Sequence, residues 1–487
     1  MARRGRQVRI ADDARARNAA AAKALSALLE DGVPLYGVTT GVGALRSRGV
    51  PPGERADNQL RLLRSHAGGA GRPLPAELVR AAMAVRANQL GAGGAGVSDG
   101  LLDAVVAALN AGLVPFAREL GSLGTGDLTV LAEIGLALLG EGRVWRGTEL
   151  QPSGRALAEA GLAAPSLGPR DGLAFMSSGA ASVGHGALVA VDADRLLAAS
   201  LAVAALSFCA ADADRVVLDP RVHAARPHPG QIEVAARMRE LLGGPATARG
   251  DDDRAGVHDP YPFRALAQVE GATLDALRAL EAVLAVELNA AAENALIDAG
   301  PPPAALANGN FHGGRLALGL DHLRAAIAQS AALVAARVSA LLDPGAMGLP
   351  PALSARPGPE SGGMILEYTA HAAAAEARSL AAPVTNLTVT VGGGLESHAS
   401  FAPVAARRTQ EALDAAGVAV ATELAAAVRA LRLRGLEPAG TAAAELFAAA
   451  AARLDADLSD HALGDDVDAA RQVLFGEHGR RRGGRSA

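Results

Sequence analysis

"RELGSLGTGDLTVLAEIGLALLGEG", residues 118–142, sets a glycine turn, Gly124-Thr125-Gly126-Asp127, before an apolar run. In that run Leu128, Leu131, Ile134, Leu136, Leu138 and Leu139 recur at helical spacing. The plain reading is a helix start: glycine turns the chain, and Thr125 or Asp127 caps the first free N–H groups. A turn with a hydroxyl and a carboxylate is also a place for chemistry, and the rest of the chain decides between the two.

The chain has 487 residues, enough for two or three core-sized units or one large elongated domain. Half of it is apolar and only 2% aromatic, so its cores are built from Ala, Leu and Val. Ala and Leu lose little side-chain entropy in a helix, which makes the expected class mainly α. The net charge of −5 comes without basic clusters among aromatics, so no nucleic-acid partner is expected. The single cysteine, Cys209, excludes intrachain disulfides and CxxC sites and fits a reducing cytoplasm, the expected location. The basic N-terminus "MARRGRQVRI" is followed by no apolar signal core. The longest apolar run, 196–211, is shorter than the roughly 18–20 residues of a spanning helix, so no membrane segment is expected. Lys23 is the only lysine and stands on an Ala-rich helical stretch, which argues against a P-loop and a Schiff-base lysine.

Apolar spacing predicts helices over 11–31, 54–66, 76–90 and 99–112, and much longer ones over 190–214, 262–297, 314–342, 363–380 and 402–433. The chain therefore reads as a mixed N-terminal region, 1–189, carrying the glycine turn, and an elongated long-helix bundle, 190–487. "LTVTV", 387–391, is the best strand candidate, and no internal repeat is visible. A literal GxGxxG at 91–96 follows a helix where a dinucleotide fold needs a strand, so that fold is set aside.

Polar chemistry gathers in loops. Tyr36 in "PLYGVTTGVG" and Tyr261 in "HDPYPFR" are loop phenols able to act as acid or base, and Arg264 can hold a carboxylate bidentately. "NGNFHGG" offers Asn310, Phe311 and His312, and "LESHAS" offers Glu396 and His398. The eleven histidines form no HExxH or HxH arrangement, and no metal is expected.

In order along the chain, "YGVTTGVG", "LLRSHAGGAGRPL", "LNAGLVPFARELGSLG", "DPYPFRALAQVEGA", "ELNAAAENAL" and "GNFHGGRLALGLD" resemble the histidine and aromatic amino acid ammonia-lyases, from about residue 10 to about 435. The resemblance implies the helical fold of the fumarase/aspartase-like superfamily, a homotetramer, and active sites that each gather loops from three subunits. It also implies a prosthetic group, 4-methylidene-imidazol-5-one, made by cyclisation and dehydration of an internal Ala-Ser-Gly. The run of this family, Gly-Ser-Val-Gly-Ala-Ser-Gly-Asp-Leu, corresponds here to residues 121–128, one residue shorter and with threonine where the reactive serine stands. The surviving triad is Gly124-Thr125-Gly126. Its ring would form by attack of the Gly126 nitrogen on the Gly124 carbonyl, and loss of the Thr125 hydroxyl would leave an ethylidene, whose extra methyl shields the carbon to be attacked.

Matching the motifs implies Tyr36 as the base for the β-proton, Tyr261 at the amine, and Arg264 with Asn310 on the carboxylate. Glu396 with His66 would read the side chain, and Phe311 lines the pocket. Ser177 stands where the family's ring-contacting Asn lies. Leu395, Ser397 and Val42 replace the family's Gln, Asp and Phe. The expected function is a carbon–nitrogen lyase or aminomutase for a small α-amino acid with a polar or imidazole-like, histidine-like side chain. Two alternatives stand beside it: an enzyme of the same fold that needs no electrophile and uses a pre-activated substrate, and a non-catalytic amino-acid-binding or assembly subunit.

Overall fold

Each helix predicted from the 3.6-residue apolar period is present, some with shifted ends, in the computed structural model, which describes residues 2–3, 5–244, 258–438 and 441–476. Helices α1 (Asp12–Glu30), α2 (Arg55–His66), α3 (Ala76–Leu90) and α4 (Asp99–Asn110) follow the predicted spacing, and α5 (Leu128–Leu138) follows the glycine turn. Short helices α6 (Ser153–Glu159) and α7 (Asp171–Met176) lead to α8 (Ala180–Ala211), which starts earlier than the predicted 190. Next come α9 (Pro220–Ala224), α10 (Pro229–Leu241), α11 (Tyr261–Arg264) and α12 (Leu266–Glu287). The helix predicted over 262–297 is thus shortened at both ends; beyond Glu287 the chain is drawn into a strand pair that overrides its helical pattern. The remainder is α13 (Gly314–Leu342), α14 (Pro344–Met347), α15 (Met364–Ser379), α16 (Ala402–Arg434), α17 (Ala442–Ala451) and α18 (Leu463–Phe475).

Three small antiparallel sheets complete the described residues: β1 (Ala70–Pro73) with β3 (Arg118–Leu120), β2 (Val114–Pro115) with β4 (Arg143–Arg146) and β5 (Glu149–Pro152), and β6 (Leu296–Asp298) with β7 (Ala304–Leu306). The strand expected over 387–391 is not formed. Its Leu387, Val389 and Val391 are exposed, with no partner strand; only Val391 bridges, back to Glu396 across a tight turn.

The chain divides into two compact units. The first comprises 1–189, 281–320 and 383–407, and the second 190–280, 321–382 and 408–487. A single cut at 189/190 captures only the first crossing, because 281–320 and 383–407 return to the first unit. The first unit packs α2, α5 and α7 closely, burying Leu62, Leu63, Leu131, Ile134, Leu173 and Phe175. Each such side chain contributes about 1.5–3 kcal/mol on leaving water. Gly135 permits the approach, since a Cβ there would stand 3.0 Å from Leu63 Cδ2.

The second unit holds charge in its core. Arg337 and Glu423, both fully buried, pair at 2.8 Å, and Ser207 donates to the same carboxylate at 2.7 Å. Burial pushes the neighbouring Glu270 carboxyl upward, against the hydroxyls of Ser200 and Ser330 that donate to it. Helix α13 is the one described helix long and apolar enough to cross a membrane, but Asp321, Arg324 and Arg337 on it are buried and bonded within this unit. Residues 441–476 dock on α16, where Arg432 donates to the Ala451 carbonyl ending α17 and Arg429 to the Leu458 carbonyl.

Candidate active site

The glycine turn is held by residues far along the chain. Gly124 and Gly126 take left-handed φ values of +82° and +97°. The Gly124 carbonyl accepts from the Ser400 hydroxyl at 2.7 Å and the Gly313 N–H at 3.0 Å, and the Phe401 N–H reaches the Leu123 carbonyl at 2.8 Å. Between the glycines, Thr125 is buried, pairs as an isolated antiparallel bridge with His312, and donates its hydroxyl to Glu396 Oε2 at 2.8 Å.

Neither expected cap is made. Asp127 stands at the start of α5 without a side-chain capping bond. Its carboxylate instead accepts from the Ser182 N–H at 2.7 Å and the Ser182 hydroxyl at 2.8 Å, so it caps the first turn of α8 rather than its own helix. Burial outweighs these bonds and pushes the Asp127 carboxyl up to about 6.

A buried glutamine ties the Tyr36 loop to this region. Gln59 Nε2 donates to the Gly37 carbonyl at 3.0 Å while its Oε1 accepts the Leu173 N–H of α7 at 2.9 Å. Helix α7 runs into half-buried Ser177, and the next residue, Ser178, accepts the Asp127 N–H at 2.7 Å. The half-buried Tyr36 hydroxyl accepts the Gly43 N–H at 2.8 Å, and the turn Gly43–Leu45 touches the turn Gly392–Gly394 that precedes Glu396. His66 ends α2 with Nδ1 2.8 Å from the Leu62 carbonyl and 3.0 Å from the Ser65 hydroxyl.

Asn310 is exposed and Phe311 half-buried; both line a small cavity with Gly124, Asp127, Ser182 and His312. His312 Nε2 lies 2.9 Å from His398 Nδ1. Burial, with His398 beside it, holds the His312 imidazole below its ordinary pKa. The sequence offered no sign of this pairing, of Ser400 on the turn, or of Gln59 behind Tyr36.

Tyr261 and Arg264 belong to the second unit. The Phe263 ring between them is buried edge-on against Phe208 at 5.2 Å, which anchors α11 and turns its neighbours outward. Tyr261 is 67% exposed, and the Arg264 guanidinium lies 5.6 Å from its ring centroid. The first unit thus brings together Thr125, Glu396, Asn310, Phe311 and the Tyr36 and Ser177 segments, and Tyr261 with Arg264 forms a separate outward-facing pair.

The model of the aromatic amino acid lyase family matches residues 1–452 of this chain; it belongs to that family and is a lyase. Histidine ammonia-lyase of Streptomyces coelicolor is 37% identical over 484 residues, 98% of this chain and 94% of the relative. The histidine ammonia-lyase of Treponema denticola is 34% identical over 97% of this chain and 93% of its own. Among solved structures, the chain is similar to the ergothioneine-degrading enzyme ergothionase of T. denticola, with a TM-score of 0.92, 28% identity, and 99% and 96% of the two chains covered. The phenylalanine aminomutase of Pantoea agglomerans also gives 0.92, at 28% identity over 97% and 95%. The fold is accordingly the helical one these lyases and aminomutases of amino acids share.

The residues at the turn do not fit the family's methylidene-imidazolone. A Cβ on residue 124, as alanine would carry, would lie 2.1 Å from Ser400 Oγ and 2.9 Å from the Ala402 nitrogen. The left-handed φ of Gly124 adds strain for any side chain. At the next position the hydroxyl belongs to a threonine, and it is engaged by Glu396.

Proposed function

We propose that this chain is a carbon–nitrogen lyase for a small α-amino acid with an imidazole-like side chain, working without a backbone-derived electrophile on a substrate whose amine already leaves readily. The observation that carries this reading is the Thr125–Glu396 hydrogen bond at a turn too tight for a Cβ at 124. Ammonia is a poor leaving group and the β-proton of an amino acid is weakly acidic; each tenfold in rate is about 1.4 kcal/mol of barrier. A quaternary ammonium leaves as a neutral tertiary amine with no further activation. The likeness to an ergothioneine-degrading enzyme supports such a substrate, because ergothioneine bears a trimethylammonium on its α-carbon.

In this reading Tyr36 takes the β-proton, Glu396 and His66 face the side chain, and Asn310 orients the carboxylate beside Ser177 and Phe311. Arg264 holds the carboxylate and Tyr261 attends the amine, both reaching the site from other subunits of a tetramer. The test is to offer the purified chain L-histidine and ergothioneine and to follow the unsaturated acid and the released amine. Turnover of the trimethylammonium substrate is expected. Turnover of L-histidine by a chain whose intact mass is two waters light would overturn the reading in favour of the ring-dependent ammonia-lyase. Light scattering that shows a monomer at micromolar concentration would remove Arg264 and Tyr261 from the shared site.

A further inference from the structure

We infer that His312 and His398 work as one unit that fixes the His398 Nε2–H as a hydrogen-bond donor near Glu396, so that a carboxylate acceptor and an imidazole donor together read a five-membered ring with heteroatoms in a 1,3 relation. The inference rests on the proposal that Glu396 faces the ligand's side chain, and not on turnover.

The tautomers follow from the bonding. The Gly314 N–H donates to His312 Nδ1 at 3.1 Å, and a ring nitrogen can accept only when it carries no proton. In neutral His312 the proton is therefore on Nε2, which lies 2.9 Å from His398 Nδ1 and donates to it. Neutral His398 then carries its own proton on Nε2, on an exposed ring with no partner for that nitrogen among the described residues. Adding a proton to either accepting nitrogen would break one of the two bonds.

The pair is also tied to the turn. Thr125 is bridged through its backbone to His312 and bonded through its hydroxyl to Glu396, and Glu396 lies two residues before His398. These four residues close a circuit that fixes acceptor and donor together. One oxygen of Glu396 is taken by Thr125; the other is available to a ligand N–H, while His398 supplies an N–H to the second ring nitrogen or to a sulfur on the carbon between. His312 is a positioning residue in this scheme, and His398 the reader.

The experiment uses the full-length chain with 15N-labelled histidine, so that ring nitrogen shifts report each tautomer, together with calorimetric titration of L-histidine and 2-thiohistidine. The Nε2–H tautomer is expected for both His312 and His398. His312→Leu should release the His398 tautomer and weaken binding about 2–10-fold, the worth of one hydrogen bond. His312→Gln, whose amide can accept from Gly314 and donate to His398, should restore binding. An Nδ1–H tautomer at His398 in the wild type overturns the inference, as does unchanged affinity in His312→Leu, or the absence of binding of either amino acid. Binding and tautomers as expected with no elimination from any substrate would sink the proposed reaction and leave this inference standing.

Discussion

The Thr125 hydroxyl donates to Glu396 Oε2 at 2.8 Å, joining the glycine turn to a carboxylate from a distant loop of the same unit. The two groups occupy each other, and the turn between them is closed by Ser400 and Gly313.

A first prediction follows for Thr125. In the electrophile-free reaction proposed above, the purified chain should have the mass of its sequence, and Thr125→Ala should keep at least about a tenth of the elimination rate. A wild-type mass two waters light, with Thr125→Ala inactive, would refute the unmodified turn.

Tyr36→Phe keeps the ring and removes only the oxygen. If Tyr36 takes the β-proton as proposed, its loss should lower kcat by about 10²–10⁴-fold. The Gly43 N–H loses its acceptor, at about 1 kcal/mol of stability. An active variant would remove Tyr36 from proton transfer.

Sequence legibility had a clear boundary. Helical spacing gave α13 its bounds and α2, α3 and α16 to within a residue or two, because continuous burial on one face leaves a periodic record. The stretch 387–391 has the composition of a strand but meets no strand partner, and composition does not report on partners. Asp127 was recognisable as a cap, yet the helix it caps begins at Ala180, a choice made by tertiary packing. Motif matching singled out Thr125, Glu396, Asn310 and Phe311, which the first unit gathers. It could not find Ser400 or Gln59, whose work depends on backbone atoms that carry no side-chain signature.

Asp127 makes a pH prediction. Its carboxyl is raised from 3.8 to about 6, so folding favours the protonated form. The stability this contributes is complete below about pH 4 and is lost as pH rises through about 6, on the order of 3 kcal/mol in all. Asp127→Asn, which does not titrate, should therefore gain stability relative to wild type between pH 4.5 and 7. Denaturation midpoints at the two pH values measure the difference, and parallel shifts would contradict the buried carboxyl's titration.

Arg264→Lys keeps the charge and loses the planar fork. If Arg264 holds the carboxylate, KM should rise by about 10-fold or more. Unchanged kinetics would take Arg264 out of the site.

Glu423→Ala leaves the fully buried Arg337 without its counter-ion and should cost about 3–5 kcal/mol. The double variant Arg337→Met/Glu423→Leu should recover most of that loss, read as thermal inactivation half-life. Equal losses in the single and double variants would contradict a charge-pairing origin.

Glu396 lies 271 residues beyond Thr125, and Ser400 lies 276 beyond Gly124. A ribosome adding about 5–20 residues per second needs roughly 15–50 seconds to bridge that interval. During it the nascent chain can assemble α2, α3, α4 and the small sheets beside the turn, but of the turn's distant bonds only those from His312 and Gly313 can form before Glu396 and Ser400 emerge. A polypeptide released from a message truncated before residue 383 would carry Tyr36, Thr125 and Asp127 and still lack the Glu396 and Ser400 bonds to the glycine turn. Synthesis of this lyase is therefore ordered so that the glycine turn is fully fastened late, after most of the chain that encloses it has left the ribosome.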